Sequence, residues 1–287
     1  MAPDPRISAV KQKQTSAGVW VAGTVAVAAA VAAGVYFART GGEAVGQLPG
    51  TSTTPSASAP ASAPQAPTVE HPIEQAQVDP PSEPATPLPA IEDSDRPVFD
   101  AIAGLAGGGE ALGVLVDPQH LVQRIVATVD GLTRPKLGEN VSPLRSAQGV
   151  FATRADGTQR VIAGDNAARY DAYAQVARAI DAKKLVAWYV ATYPLFQQAY
   201  RELGYPNGYF NDRLIAVIDH LLATPDVAQP LAVVQPNVLF EFADPALEAR
   251  SSGQKLLLRS GPQNEAAIKA KLREIRALLV GQNLPKS

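Results

Sequence analysis

The hydrophobic and polar positions divide the chain into three zones. Residues 19–38, VWVAGTVAVAAAVAAGVYFA, are twenty residues without a charge. As a helix such a run rises about 30 Å, the thickness of a bilayer's hydrocarbon core. Trp20 and Tyr36 stand near its ends, where amphipathic rings suit the two interfaces. Through residues 39–96 the apolar pattern disappears. TSTTPSASAPASAPQAPTVEHP is Pro, Ala, Ser and Thr with little to bury, which predicts an extended, disordered linker with local polyproline character. From Pro97 to about residue 282 the periodic patterns return and predict a folded domain.

Within that domain the spacing is mainly helical. VFDAIAGLAGGGEALGVLV predicts a short helix, a glycine turn and a second short apolar element. Asp117 and Pro118 predict a helix start, the carboxylate at the N-cap and proline at the first position. Leu121, Ile125, Val129 and Leu132 then form one face. GVFATRADGTQRVIAG predicts a β-hairpin turning at Asp156-Gly157. Asp165 or Asn166 is expected to cap the next helix, with Tyr170, Tyr173, Val176, Ala177 and Ile180 on its face, and a second follows from Asp181, the two forming either one helix or a pair joined by a bend. Pro194 is expected to end that helix and open a new one that stops at Gly204. Asn211 reads as the cap of NDRLIAVIDHLLATP, and VLFEF as extended. Asp244-Pro245 reads as a helix start, Ser251 to Gln254 as a loop, and Pro262 as the opening of a long terminal helix. The fold class is therefore mainly α, with a small hairpin or sheet, preceded by one transmembrane helix and a disordered linker.

Charge sets the orientation. Arg6, Lys11 and Lys13 precede the apolar run; after Arg39 no Lys or Arg follows until Arg96. That asymmetry predicts a cytoplasmic tail over 1–18, a membrane helix over Val19 to Ala38, and a domain on the far side. A cleaved signal peptide and a buried soluble helix are the competing readings of the same run. Ala22, Ala26 and Ala30 recur at the small-xxx-small spacing through which membrane helices pair, so a homodimer through this helix is one expectation. Residues 40–95 hold eight acids and no Lys or Arg, while residues from 96 onward hold 21 bases and 18 acids. No basic patch with interleaved aromatics appears, which argues against nucleic acid. There is no cysteine, which excludes disulfides and thiolate chemistry, and only three histidines, which excludes a His-rich metal site. The glycines at 107–109 lack the Lys and Ser/Thr of a phosphate loop. Neither a metal nor a cofactor is expected.

TVDGLTRP, PLFQQAYRELGYPNGYF and NVLFEFADPALEARSSGQKLLLRSGPQNEAAIKAKLREIRALL, together with the anchor and the Pro-rich linker, resemble the bacterial family called domain of unknown function 3014. The Gln197-x-Ala199-Tyr200-x-Glu202-Leu203-Gly204-Tyr205-Pro206 segment and the F-A-D-P-x-L-E segment at 242–248 are its most specific parts. The resemblance implies a domain over roughly 97–282 and an envelope setting with one N-terminal membrane segment. It carries no established activity and assigns no catalytic residue.

Candidate chemistry is sparse. Gln197, Gln198, Tyr200, Arg201 and Glu202, with Tyr205, Asn207 and Asn211, form the sharpest polar group, since Gln198 lies i,i+3 from Arg201 and i,i+4 from Glu202. Glu241, Asp244, Glu248 and Arg259 are candidates to stand beside it. Glu202, Glu241 and Asp244 are the candidate acids for hydrolysis of a glycosidic bond, which needs two carboxylates about 5 to 9.5 Å apart. Gln198, Tyr200, Arg201, Tyr205, Asn207 and Arg259 are the candidate binding residues. Ser252 and Lys255 have an S-x-x-K spacing without the companion motifs, and Ser251-Ser252-Gly253 shows no histidine nearby in sequence. The aromatics from Tyr170 to Tyr209 read as core, with some lining a groove for glycan or peptide. The expectation is a binding or scaffold protein anchored in the bacterial inner membrane, its domain in the periplasm and its partners envelope proteins or peptidoglycan. The alternative is a peptidoglycan- or polymer-modifying hydrolase using paired carboxylates.

Overall fold

A computed structural model of the protein describes residues 69–78, 87–138 and 140–281. The expected cytoplasmic tail, membrane helix and most of the linker lie outside those residues. Among the described residues no helix is long and apolar enough to cross a membrane.

The described chain is mainly helical, with a small antiparallel sheet. In order it runs through α1 (Asp95–Leu105), α2 (Gly109–Leu115), α3 (Leu121–Gly131), β1 (Thr153–Asp156), β2 (Gln159–Ile162), α4 (Asp171–Ala179) and α5 (Ala182–Glu202). It continues with α6 (Phe210–Leu222), β3 (Ala232–Val234), β4 (Glu241–Phe242), α7 (Pro245–Glu248), α8 (Ser252–Ser260) and α9 (Pro262–Leu279). The last helix is the organising element and packs against α4, α5, α6 and α8. Its stripe of Ile268, Leu272, Ile275 and Leu279 is buried, as the 3.6-residue period requires. Two lysines on α9 are buried as well. Lys269 donates to the carbonyl of Thr224 just past α6, and Lys271 to that of Ile180 just past α4, each at 2.7 Å. Cations at helix C-termini meet orphaned carbonyls and the negative end of the helix dipole. Glu265 neutralises Lys269 at 2.6 Å, an i,i+4 pair on α9.

The sheet has the order β1-β2-β3-β4, all antiparallel. The hairpin forms as expected. Asp156 pairs with Gln159 across a two-residue turn, and Gly157 takes the positive φ (61°) the turn demands. Ile162, Leu231, Val233, Phe242 and Leu247 make a second, smaller core. Three consecutive leucines on α8 join the two cores, with Leu256 and Leu257 in the main one and Leu258 in the second.

Several local expectations change. Asp117 does not cap α3. The carboxylate of Asp95, at the start of α1, accepts from the amides of His120 and Leu121 at 2.8 and 2.7 Å, while Asp117 turns to Arg124. Pro194 does not break α5, which runs unbroken from 182 to 202. The proline is exposed, and Val186 and Tyr189 before it and Phe196 and Ala199 after it bury into the same core. Tertiary packing thus outweighs the one hydrogen bond proline removes. Residues 164–170 form a 3-10 helix before α4 begins, and neither Asp165 nor Asn166 caps α4. Residues 252–260 are helical, with Ser251 as the N-cap.

The linker also ends earlier than expected. Residues 69–78 lie as a strap on the domain. Asp212 accepts from the amides of Glu70 (3.0 Å) and His71 (2.7 Å), the Tyr209 hydroxyl accepts from that of Ile73 (2.8 Å), and Asn211 donates to the His71 carbonyl (2.9 Å). Asn211 is thus a strap-binding residue and not a helix cap. Ile73 is buried in the main core, and the Gln77 amide donates to the carbonyl of Leu278. Ile91, further along the expected linker, is buried too.

Candidate functional site

The polar residues singled out in the sequence fall on different elements. Gln198, Arg201 and Glu202 are exposed on the outer face of α5, where Gln198 donates to Glu202 at 2.9 Å. Asn207 is exposed in the turn before α6. Tyr200 points the other way, buried, with its ring stacked on Tyr205 at 4.6 Å. Glu241, Asp244 and Arg259 belong to the β4–α7–α8 side. Asp244 caps α7 by accepting from Ala246 at 2.8 Å. Arg259 donates to the Phe240 carbonyl at 3.0 Å and lies 4.9 Å over the Phe242 ring, and burial lowers its pKa. Glu248 completes that side, accepting from Lys255 and from the Phe242 amide. The Arg259 and Glu248 contacts tie α7 and α8 to β4 and the residues before it.

Gln197, from the same polar group, is buried and serves as the latch of the turn. Its side-chain carbonyl accepts from the Tyr193 hydroxyl (2.7 Å) and the Phe210 amide (2.9 Å), and its amide group donates to the Gly208 carbonyl (2.8 Å). The segment from Gln197 to Phe210 thus holds α5, the turn and α6 together.

The most connected polar cluster was not anticipated. Asp130, 3 % exposed at the end of α3, accepts from Arg134 (2.5 Å), Arg213 (2.9 Å) and the Tyr205 hydroxyl (3.2 Å). Arg213 also donates to the Asp130 carbonyl and to Thr133. The available signal was an acid inside the apolar pattern of α3 with an arginine four residues on.

Beside this hub, Nε2 of His220 lies 2.8 Å from the hydroxyl of Ser251, a pairing across 31 residues that no local pattern marks. It resembles half of a nucleophilic triad, but its surroundings are wrong. Ser251 is buried and its hydroxyl accepts from the Gln254 amide as the cap of α8. The amides of Ser252 and Gly253 donate to the carbonyls of Arg134 and Leu132. The groups that would stabilise an oxyanion are therefore occupied in joining α8 to α3.

One recess is of different chemistry. An apolar cavity of about 90 Å³ lies among α2, α3, α5, α6 and α9. Leu112, Leu121, Ile125, Val129 and Leu279 supply an aliphatic wall, and Trp188, Tyr189, Phe196 and Phe210 an aromatic one. The aromatic wall is rigid: Phe196 meets Tyr189 at 5.3 Å and Trp188 at 5.8 Å, both edge to face, and stacks with Phe210 at 6.1 Å. Burial holds the Tyr189 hydroxyl neutral, with its pKa well above the usual tyrosine range. Ile125, Leu185 and Trp188 are half-exposed, so the recess reaches the surface between α3 and α5. At about 24 cal/mol per Å³, leaving this volume empty costs about 2 kcal/mol. A sugar hydroxyl or peptide amide entering it would lose water and gain no partner. Of the aromatics between Tyr170 and Tyr209, Trp188, Tyr189 and Phe196 line this recess, whose wall is unsuited to glycan. Among the described residues no group of three or more His, Cys, Asp or Glu side chains stands together as a metal would need.

Fold and site together define a small helical domain with a satellite antiparallel sheet, a saturated polar hub and an apolar recess. Residues 121–276 match the model of the family described as "Protein of unknown function (DUF3014)", and the chain belongs to that family. The matched span contains the hub, the sheet and most of the recess; α1, α2 and the strap lie outside it. No curated protein and no solved structure matches the chain.

Proposed function

We propose that this protein is a non-catalytic binding or scaffold module of the bacterial cell envelope, held at the inner membrane by residues 19–38 with its domain in the periplasm. One observation carries the binding half: the recess among α2, α3, α5, α6 and α9 is apolar and acid-free, while Asp244 caps a helix and Glu202 lies exposed beside Gln198. A glycosidase needs the reverse, two carboxylates facing each other across a polar cleft. The envelope half is supported by the uncharged run at 19–38 and the basic residues before it. Incubating the full-length protein with purified sacculi tests the reading. The expected result is no release of soluble muropeptides. Release that disappears in Glu202→Gln or Glu241→Gln would establish the hydrolase instead.

A further inference from the structure

We propose that the recess between α3 and α5 binds the hydrocarbon tail of a single-chain anionic amphiphile. Four observations select this ligand. The wall is aliphatic on one side and aromatic on the other, so only an apolar group enters without losing hydrogen bonds. Interiors are normally packed to crystal density, and a lasting apolar gap of this kind stays dry and admits hydrocarbon. Its volume of about 90 Å³ suits the end of one hydrocarbon tail. Its mouth carries half-exposed Leu185 and Trp188, and Lys184 stands exposed one helical turn before Trp188 on α5. An amphiphile with its tail inside leaves its head at that rim, where the exposed Lys184 ammonium favours a negative charge. Gly107 and Gly108, both at positive φ, join α1 to α2, the short helix that contributes Leu112 to the wall.

This inference rests on the binding reading but is tested separately, because muropeptide release would sink that reading and leave the recess untouched. The chain has two tryptophans, Trp20 and Trp188, so Trp20→Phe leaves one reporter at the mouth. The full-length Trp20→Phe protein is held in amphipol, so that no detergent tail competes, and titrated with 11-bromoundecanoate. Saturable quenching of Trp188 is expected, with a rise in melting temperature that grows with ligand concentration. Val186→Phe, which fills the recess, is expected to weaken quenching at least tenfold. If that variant does not fold, Leu185→Glu at the mouth serves the same purpose. Lys184→Glu is expected to weaken binding several-fold. Absent or unsaturable quenching overturns the proposal, as does equal quenching in the filled variant. Unchanged affinity in Lys184→Glu overturns the anionic head, and saturable protection of Trp188 by chitotriose in place of the bromo acid overturns the tail.

Discussion

The polar hub and the apolar recess are built from the same two helices. Val129 faces the recess and Asp130, the next residue, anchors the hub; Arg213 enters the hub and Leu214, the next residue, lines the recess. One step along a helix turns a side chain by about 100°, enough to move it between the two environments. Their packing differs. Both carboxylate oxygens of Asp130 and its carbonyl oxygen hold partners, while about 90 Å³ beside Leu214 stays unfilled. The contrast follows from what each kind of error costs. A buried charge without a partner is penalised by several kcal/mol, whereas missing dispersion contacts are lost a fraction at a time. The hub therefore fixes how α3, α6 and the turn before α6 meet, and the recess is where the fold tolerates vacancy.

The largest test falls on the hub. Asp130→Ala leaves Arg213 half-buried without its carboxylate and is expected to cost about 3–5 kcal/mol, read as a lower urea midpoint with little change in slope. A loss under about 1 kcal/mol would mean that the cluster behaves as a surface ion pair, and the contrast would fail. Leu214→Ala removes more apolar volume yet is expected to cost less, about 2–3 kcal/mol. That is the low end for a buried leucine, because the recess already lacks neighbours on one side of it. A cost near 5 kcal/mol would show the recess to be as tightly packed as the rest of the core.

How much of this was legible follows from the range of each signal. Helical faces repeat within four residues, so α3, α6 and α9 were readable, as was the hairpin at Gly157. The family was readable from three long segments. Contacts spanning eighty residues leave no local trace. Asp130 and Arg213, and the strap from Glu70 to Ile73 on Tyr209 and Asp212, are of that kind. Gly253 shows the limit from the other side. Ser-Ser-Gly reads locally as a loop, yet the glycine is helical because a Cβ there would lie 3.1 Å from the Leu132 carbonyl and 2.6 Å from Leu221. The missing side chain lets α8 seat on the end of α3. A local rule assigns the glycine to a turn when its role is close approach. The recess was least legible, since sequence marks which residues are apolar and not how completely they fill the space between them.

The smallest effect separates the two regions by pH. His220 lies at the hub's edge, its Nε2 beside Ser251, with Arg213 and Arg250 as the charged groups acting on it. Burial, followed by those two cations, lowers its pKa below the ordinary value of 6.5. The unfolded chain then binds more protons than the folded one between the two pKa values, so stability rises with pH through that window. Equivalently, stability is lost as pH falls from about 6.5 toward the folded value. His220→Gln keeps a hydrogen-bonding group near Ser251 and removes the titration. Denaturant midpoints are expected to fall less steeply below pH 6.5 in the variant than in the parent, with parallel curves above pH 7. The ring is partly exposed, so the gap stays below about 1 kcal/mol. The recess has no titratable group in its wall apart from the buried Tyr189 hydroxyl, which burial holds neutral far above this range. Leu214→Ala is therefore expected to shift the whole profile down without changing its shape. If Leu214→Ala reshapes the profile below pH 6.5, hub and recess are coupled through α6, and they would have to be treated as one site.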